Sequence, residues 1–357
     1  MIKNSKNMSI ADMLVSGRKT KMDFFNQVNK LIDFAVIEKV LNKHYDFKKD
    51  AVGNSSWSGL LLFKVNLLGM WYGLSDQEVE IAVNDRISFS NFVGLPLDQS
   101  CPDHSTIWRF RERMQKAGAW DKLLAAINEQ LIKNKVIVKS GVNVDASITK
   151  SPNRPKGPIR IEIAEDRMEE DRSEESIEKE KEYMKEVSVK QASADPEARW
   201  LKKGNKSFFG YKKHVGTTEN GLILGVHTTP ANESDTKHFT TVLGKCNLQE
   251  GCSVNADKGY TSKENREYLK SKKYKDRIQH KATRGKALTH WQKLANQLIS
   301  KRRYTIERTF GSITKWFKSI ECRYKGLART HTQHVIEAIC YNLKVAPGII
   351  VSNSKKG

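Results

Sequence analysis

At residue 142 the chain changes its period. Upstream, apolar side chains recur every three or four residues, and Leu60, Leu61, Phe63, Leu67, Leu68 and Trp71 mark one strongly apolar helix. From Val142 onward, Val144, Ala146 and Ile148 alternate with Asn143, Asp145, Ser147 and Thr149. That is the two-residue repeat of a strand with two distinct faces. A chain that opens in helices and turns to strands folds as a helical unit followed by a mixed sheet with flanking helices, an α+β or α/β architecture. Its 357 residues are enough for two domains. The expected division is a helical domain over 1–139, a sheet domain over 140–350 and a tail over 351–357.

Local signals refine this plan. Short helical runs fill the first 50 residues, for example 24–41. Ser75 followed by Glu78 reads as a capping box, and Asp103-His104-Ser105 opens a basic helix. In that helix Arg109, Arg111 and Arg113 flank Ile107, Trp108 and Phe110. Following two or more helices, it has the form of a recognition helix for DNA, and equally that of a bundle helix with a solvated basic face. In the second domain, residues 211–218 and 222–229 flank Asn220-Gly221, a tight-turn dipeptide, and predict a hairpin. A helix follows over 236–246, then a short strand over 253–257, then a further helix from Thr261. Between the first strand and the hairpin, Pro152, Pro155 and Pro158 break the chain, and 161–190 is dense in both charges. We expect 151–203 to be a charged insertion and linker, partly helical or disordered and kept off DNA by its own acids.

The formal net charge is +21 and the pI about 9.6, which points to nucleic acid or another anionic surface. Residues 258–329 hold 21 Lys or Arg against five acids, so most of the excess lies there. The N-terminus lacks the continuous apolar core of a secretory signal, and no apolar run is long enough to span a membrane. The five cysteines are scattered without a CxxC pair, which argues for reduced thiols in a cytoplasm and against a zinc site. His104, His214 and His238 lack ligand spacing and read as structural.

Within the basic region, 301–318 reads as a helix. Ile306, Phe310, Ile313, Phe317 and Ile320 form an apolar stripe, beside a row of Arg303, Glu307, Gly311, Thr314 and Lys318. The ordinary reading of Glu307 is an ion pair with Arg303, four residues away. Two upstream aspartates suggest another. Asp145 is the only acid of its strand, and Asp257 ends a strand at the edge where ligand sites of open α/β sheets collect. Three clustered carboxylates repel and need cations between them. Mg²⁺ takes such oxygen ligands, and two ions about 3.5–4 Å apart stabilise an in-line phosphoryl displacement. Without metal, their mutual repulsion predicts raised carboxylate pKa values.

The blocks NVDAS (143–147), PANESD (230–235), NADKGY (255–260) and RRYTIERTFG (302–311) resemble those of the DDE transposases of bacterial insertion sequences, in particular the group typified by insertion sequence five. CPDHSTIWRFRERM (101–114) and 195–214 also resemble stretches of that group. The resemblance implies an RNase H-like catalytic domain with Asp145, Asp257 and Glu307 as a triad holding Mg²⁺, for which Mn²⁺ substitutes. It implies cleavage of double-stranded DNA at terminal inverted repeats, then attack of the freed 3′-hydroxyl on target DNA, with no covalent protein–DNA intermediate. The expected form is a homodimer or higher oligomer on DNA, nucleoid-associated in a bacterial cytoplasm. DNA contacts fall to Arg303, Lys315, Lys318, Lys258 and Tyr260, with Arg109, Arg111 and Arg113 in the helical domain; Tyr260 reads equally as core packing. Trp291 and Trp316 are either stacking platforms or ordinary packing. Two positions depart from the family pattern: Ser300 stands for its Tyr and Thr314 for its Lys, with Lys315 one residue late and about 100° round the helix. A metal-dependent nuclease without strand transfer and a degenerate, non-catalytic DNA-binding protein are the alternatives.

Overall fold

The computed structural model describes residues 23–45, 56–157, 159–164, 184–189, 192–283 and 285–354. Among the described residues, seven helices come first: α1 (Asp23–Leu31), α2 (Phe34–His44), α3 (Gly59–Tyr72), α4 (Asp76–Asp85), α5 (Ile87–Val93), α6 (His104–Lys116) and α7 (Ala119–Lys133). The run expected over 24–41 is thus two helices, because the Asp33 carboxylate accepts from the Ala35 amide and caps a new one. The Ser75–Glu78 capping box closes reciprocally at the start of α4. Helix α3 is apolar all round and buried all round, with Leu62, Phe63, Val65, Leu67 and Leu68 fully enclosed.

The sheet opens with β1 (Gly141–Lys150). Then come β2 (Ile159–Ala164), β3 (Met184–Val189), β4 (Arg199–Lys203), β5 (Lys206–Thr218) and β6 (Ile223–Pro230). Helix α8 (Asp235–Cys246), β7 (Ser253–Ala256), α9 (Lys263–Ser271), β8 (Lys275–Ile278), α10 (His290–Phe317) and α11 (Leu327–Ser354) complete the chain. β1 lies at the centre, antiparallel to β5 and parallel to β7, which is parallel to β8. β6 pairs with β5 through the turn at Gly221, whose φ is +88°. An antiparallel meander extended by two parallel strands is the RNase H-like arrangement.

Two expectations for the insertion are corrected. Its described flanks, β2 and β3, pair as an antiparallel two-stranded sheet rather than forming helix, and 165–183 lies outside the described residues. Residues 199–203 are not a linker: as β4 they join the main sheet beside β5, with Trp200 opposite Phe209. The expected tail is also shorter, because α11 runs on to Ser354.

α11 ties the two halves together. Trp71 of α3 donates its indole N–H to the Cys340 carbonyl at 3.0 Å. On the other side, Asn342 donates to the carbonyl of Ile223 in β6, which also accepts from Asn128 of α7. One continuous apolar core therefore runs from Phe25 to Ala346 through both regions. No helix of the described residues is long and apolar enough to cross a membrane.

Candidate active site

Parallel pairing of β1 with β7 matches Val142 to Val254, Asn143 to Asn255 and Val144 to Ala256. The next pair is Asp145 and Asp257, so the two N-x-D segments leave these carboxylates side by side at one level of the sheet. Adjacent strands are about 4.8 Å apart. Asp257 ends its strand and accepts from the Lys258 amide at 2.5 Å, capping a short 3₁₀ turn over Lys258–Tyr260. Two residues down the same strands, Asn143 and Asn255 are fully buried, and neither Asn143 amide atom has a hydrogen-bond partner.

Helix α10 crosses over this pair. Arg303 is 8% exposed, and its Nη2 donates to Asp145 Oδ2 at 2.6 Å. The ion pair expected between Arg303 and Glu307 is therefore replaced by one across 158 residues of sequence. Glu307 is one turn further along α10, exposed to solvent, about 6 Å along the helix axis. Thr309 seats that turn by donating its hydroxyl to the Gly221 carbonyl at 3.0 Å. A Cβ at Gly311, one turn beyond Glu307, would meet nothing within 4 Å.

Burial, first, raises the Asp145 carboxyl above its usual range. Arg303 and the Ala146 amide oppose the rise, and the neighbouring Asp257 adds to it. Repulsion between the acids is thus present but secondary to desolvation. Close by, the Tyr260 hydroxyl is buried without a hydrogen-bond partner, and its pKa is raised by burial and by the charge of Asp145. Arg303 Nε is a second buried polar atom without a partner.

These observations test the fit of a divalent cation. The donors are carboxylate oxygens, the type that Mg²⁺ and Mn²⁺ take, and unused polar atoms surround them. Asp145 and Asp257 are close enough to interact, and Glu307 stands apart from them, one turn beyond Arg303 on α10. Among the described residues, no three acids, histidines or cysteines are grouped closely enough to hold a metal ion. The donor set fits a divalent cation in the chemistry of its oxygens, while the positive charge at Asp145 is supplied by Arg303.

The predicted DNA contacts separate into two groups. Lys258, Lys315, Lys318, Arg109 and Arg113 are exposed. Arg303, Tyr260 and Arg111 are buried. Tyr260 is 1% exposed and packs on Phe239. Arg111 forks onto Asp76 at 2.9 and 2.6 Å and lies over the Tyr324 ring, pinning α6 to α4. Arg109 and Arg113, one turn apart, border a cleft of about 780 Å³ beside Trp57 and Tyr45. Trp316 stacks on Tyr341 and is ordinary packing, whereas Trp291 is 79% exposed. Ser300, at the position of the family's Tyr, accepts from Gln279 at 2.7 Å, while Tyr304 projects outward.

The histidines hold a feature that spacing did not reveal. His214, His227 and His238 gather with ring centroids 5.1–6.1 Å apart. His214 and His227 face each other across the β5–β6 ladder, a pairing visible only once register is known. Burial lowers His214 to about 3 and His227 to about 4, so both stay neutral at ordinary pH.

Comparison with known proteins gives concordant matches. A transposase DDE domain family matches residues 176–343, and a transposase domain (DUF772) matches 14–113. The transposase for insertion sequence element IS1106 of Neisseria meningitidis serogroup B is 34% identical over 238 residues, spanning 66% of this chain and 75% of that protein. A piggyBac transposase, solved by cryo-EM as a synaptic complex with hairpin DNA, is a looser likeness. It has 8% identity and a TM-score of 0.44 over 96% of this chain and 77% of that one.

Proposed function

The chain belongs to the DDE transposases of insertion sequences, and from that premise we propose that Asp145, Asp257 and Glu307 are the acids of its phosphodiester chemistry. The observation that carries this is the register of β1 and β7, which sets Asp145 beside Asp257 under the helix that bears Glu307. These three side chains would hold the divalent cations, Mg²⁺ or Mn²⁺. When bound, such ions stabilise charge on the attacking and leaving oxygens of an in-line displacement.

The chain's own residues do the rest. Arg303 neutralises Asp145 from within the fold and so offsets the repulsion between the two half-buried carboxylates. The exposed Lys258, Lys315 and Lys318 would present cations to the phosphate backbone. Arg109 and Arg113 do so from the helical domain, where terminal repeats would be bound. Water is the nucleophile of cleavage and the freed 3′-hydroxyl that of strand transfer, so no side chain forms a covalent bond to DNA. Joining two ends in one event requires at least a dimer.

A duplex carrying the gene's own flanks tests this reading, with wild type and Glu307→Gln compared in Mg²⁺ and in chelator. Cleavage near the flank ends that needs both Mg²⁺ and Glu307, with joined products in the presence of target DNA, is the expected result. Cleavage that survives Glu307→Gln means a different third acid. One observation favours a second reading, a non-catalytic DNA-binding relative: Glu307 stands apart from the two aspartates, next to the Ser300 and Thr314 departures. DNA binding by wild type with no cleavage in either metal would establish it.

A further inference from the structure

Beyond Lys150 the sheet ends in a cleft that the acid site does not use. Two adjoining hollows of about 600 and 540 Å³ share Pro152, Arg154 and Trp200. Their cations are Lys150, Arg154, Lys156 and Lys206, against one acid, Glu321. All four cations are exposed, and none is ion-paired with a carboxylate among the described residues. Trp200 is 49% exposed although its ring packs on Phe209 at 5.2 Å, and Lys150 lies over the Phe208 ring. The β4–β5 hairpin also lines the cleft, and the strand ends beside its Gly204-Asn205 turn, Lys202, Lys203 and Lys206, add further positive charge.

The cleft shares β1 with the acid site. Lys150 ends the strand of Asp145, roughly 17 Å away at about 3.4 Å per residue. Its amide donates to the Ile320 carbonyl and its carbonyl accepts from the Cys322 amide, both at 2.8 Å, so the segment just after α10 closes the cleft floor. A hollow of this volume admits one or two nucleotides and excludes a duplex. Unpaired cations beside a held but half-open indole suit phosphates and one unstacked base.

We propose that this cleft binds single-stranded DNA, with phosphates on Lys150, Arg154, Lys156 and Lys206 and a base stacked on Trp200. The proposal rests on the DNA-processing reading and adds a strand-holding site to it. The test is anisotropy of labelled oligo(dT) and of a labelled duplex with the full chain in chelator, so that binding does not depend on metal. Trp200→Ala should weaken oligo(dT) binding about tenfold and leave duplex binding within about twofold, from the usual worth of one stacked base. Arg154→Ala with Lys206→Ala, both on exposed side chains, should weaken oligo(dT) binding at least tenfold and flatten its log–log salt slope by about 1.4. Unchanged oligo(dT) affinity and slope in the double variant overturn the proposal, as do equal losses for strand and duplex. Duplex-flank cleavage by wild type and Glu307→Gln, measured alongside, reports on the acid assignment alone, so that assignment and the cleft can fail separately.

Discussion

Replacing Arg303 with Met would expose how the acid site is held before any metal arrives. The Arg303 side chain is 10% exposed and that of Asp145 22%, and their contact is 2.6 Å. Removing one partner of a buried pair costs about 3–5 kcal/mol. The residual exposure of Asp145 argues for the lower end, about 3 kcal/mol, or roughly 6 °C in Tm at about 2 °C per kcal/mol. The sign of the pH dependence follows from Asp145. Its folded pKa already lies above the unfolded value, and loss of Arg303 raises it further. The penalty is therefore complete above the folded pKa and fades as pH falls toward 3.8, because the buried carboxyl then takes a proton in place of the guanidinium. A divalent cation would meet the opposite situation. At an effective dielectric of about 20, a unit positive charge about 5 Å from a divalent ion opposes it by about 7 kcal/mol. Arg303 can swing aside to relieve part of that, so Mg²⁺ affinity should rise at least tenfold in the variant. Thermal melts in chelator and in Mg²⁺, with calorimetric titration of Mg²⁺, measure both effects. A variant as stable as wild type in chelator, with the same Mg²⁺ response, would refute both the structural role of the pair and the placement of a cation at Asp145.

Two further outcomes follow from the same geometry. Gly221→Ala places a Cβ at φ +88° and 2.7 Å from Thr309 Oγ1, against the turn that carries Glu307. It should lower stability by about 1–2 kcal/mol and slow flank cleavage while leaving DNA affinity unchanged; unaltered melting and cleavage would show that the hairpin does not seat α10. His214 has a folded value of about 3 against 6.5 unfolded, so the unfolded chain takes up a proton that the fold refuses. Its stability contribution is therefore complete above 6.5 and is lost as pH falls from 6.5 toward 3, about 2 kcal/mol of it by pH 5. His214→Gln should flatten the acid limb of a chelator-phase melting curve, and an unchanged limb would assign acid sensitivity elsewhere.

Much of the acid site was legible before any fold was known. A carboxylate at the fourth residue of a strand, another at a strand end and a third on an amphipathic helix are local facts, because strand and helix periods are set by backbone geometry over a few residues. The same is true of the Ser75 capping box and the Asn220-Gly221 hairpin. The insertion was less legible: its charge pattern suggested helix or disorder, while 159–164 and 184–189 pair as strands across a span that local propensity does not see. The arginines were less legible for a related reason. Arg109, Arg111 and Arg113 look alike in sequence, yet only Arg111 faces Asp76 and Tyr324.

Sequence by itself determined the order of elements, the concentration of positive charge and which acids were available for chemistry. Tertiary structure decided which of them meet. β5 shows the difference: Lys212, Lys213, His214, Thr217 and Thr218 are polar enough to suggest a solvent face, but all are buried. Lys213 is satisfied by Glu337, 124 residues away, and Asp145 by Arg303. A side chain's charge is written at one position, but its desolvation and its partner are properties of whatever the rest of the chain brings to it.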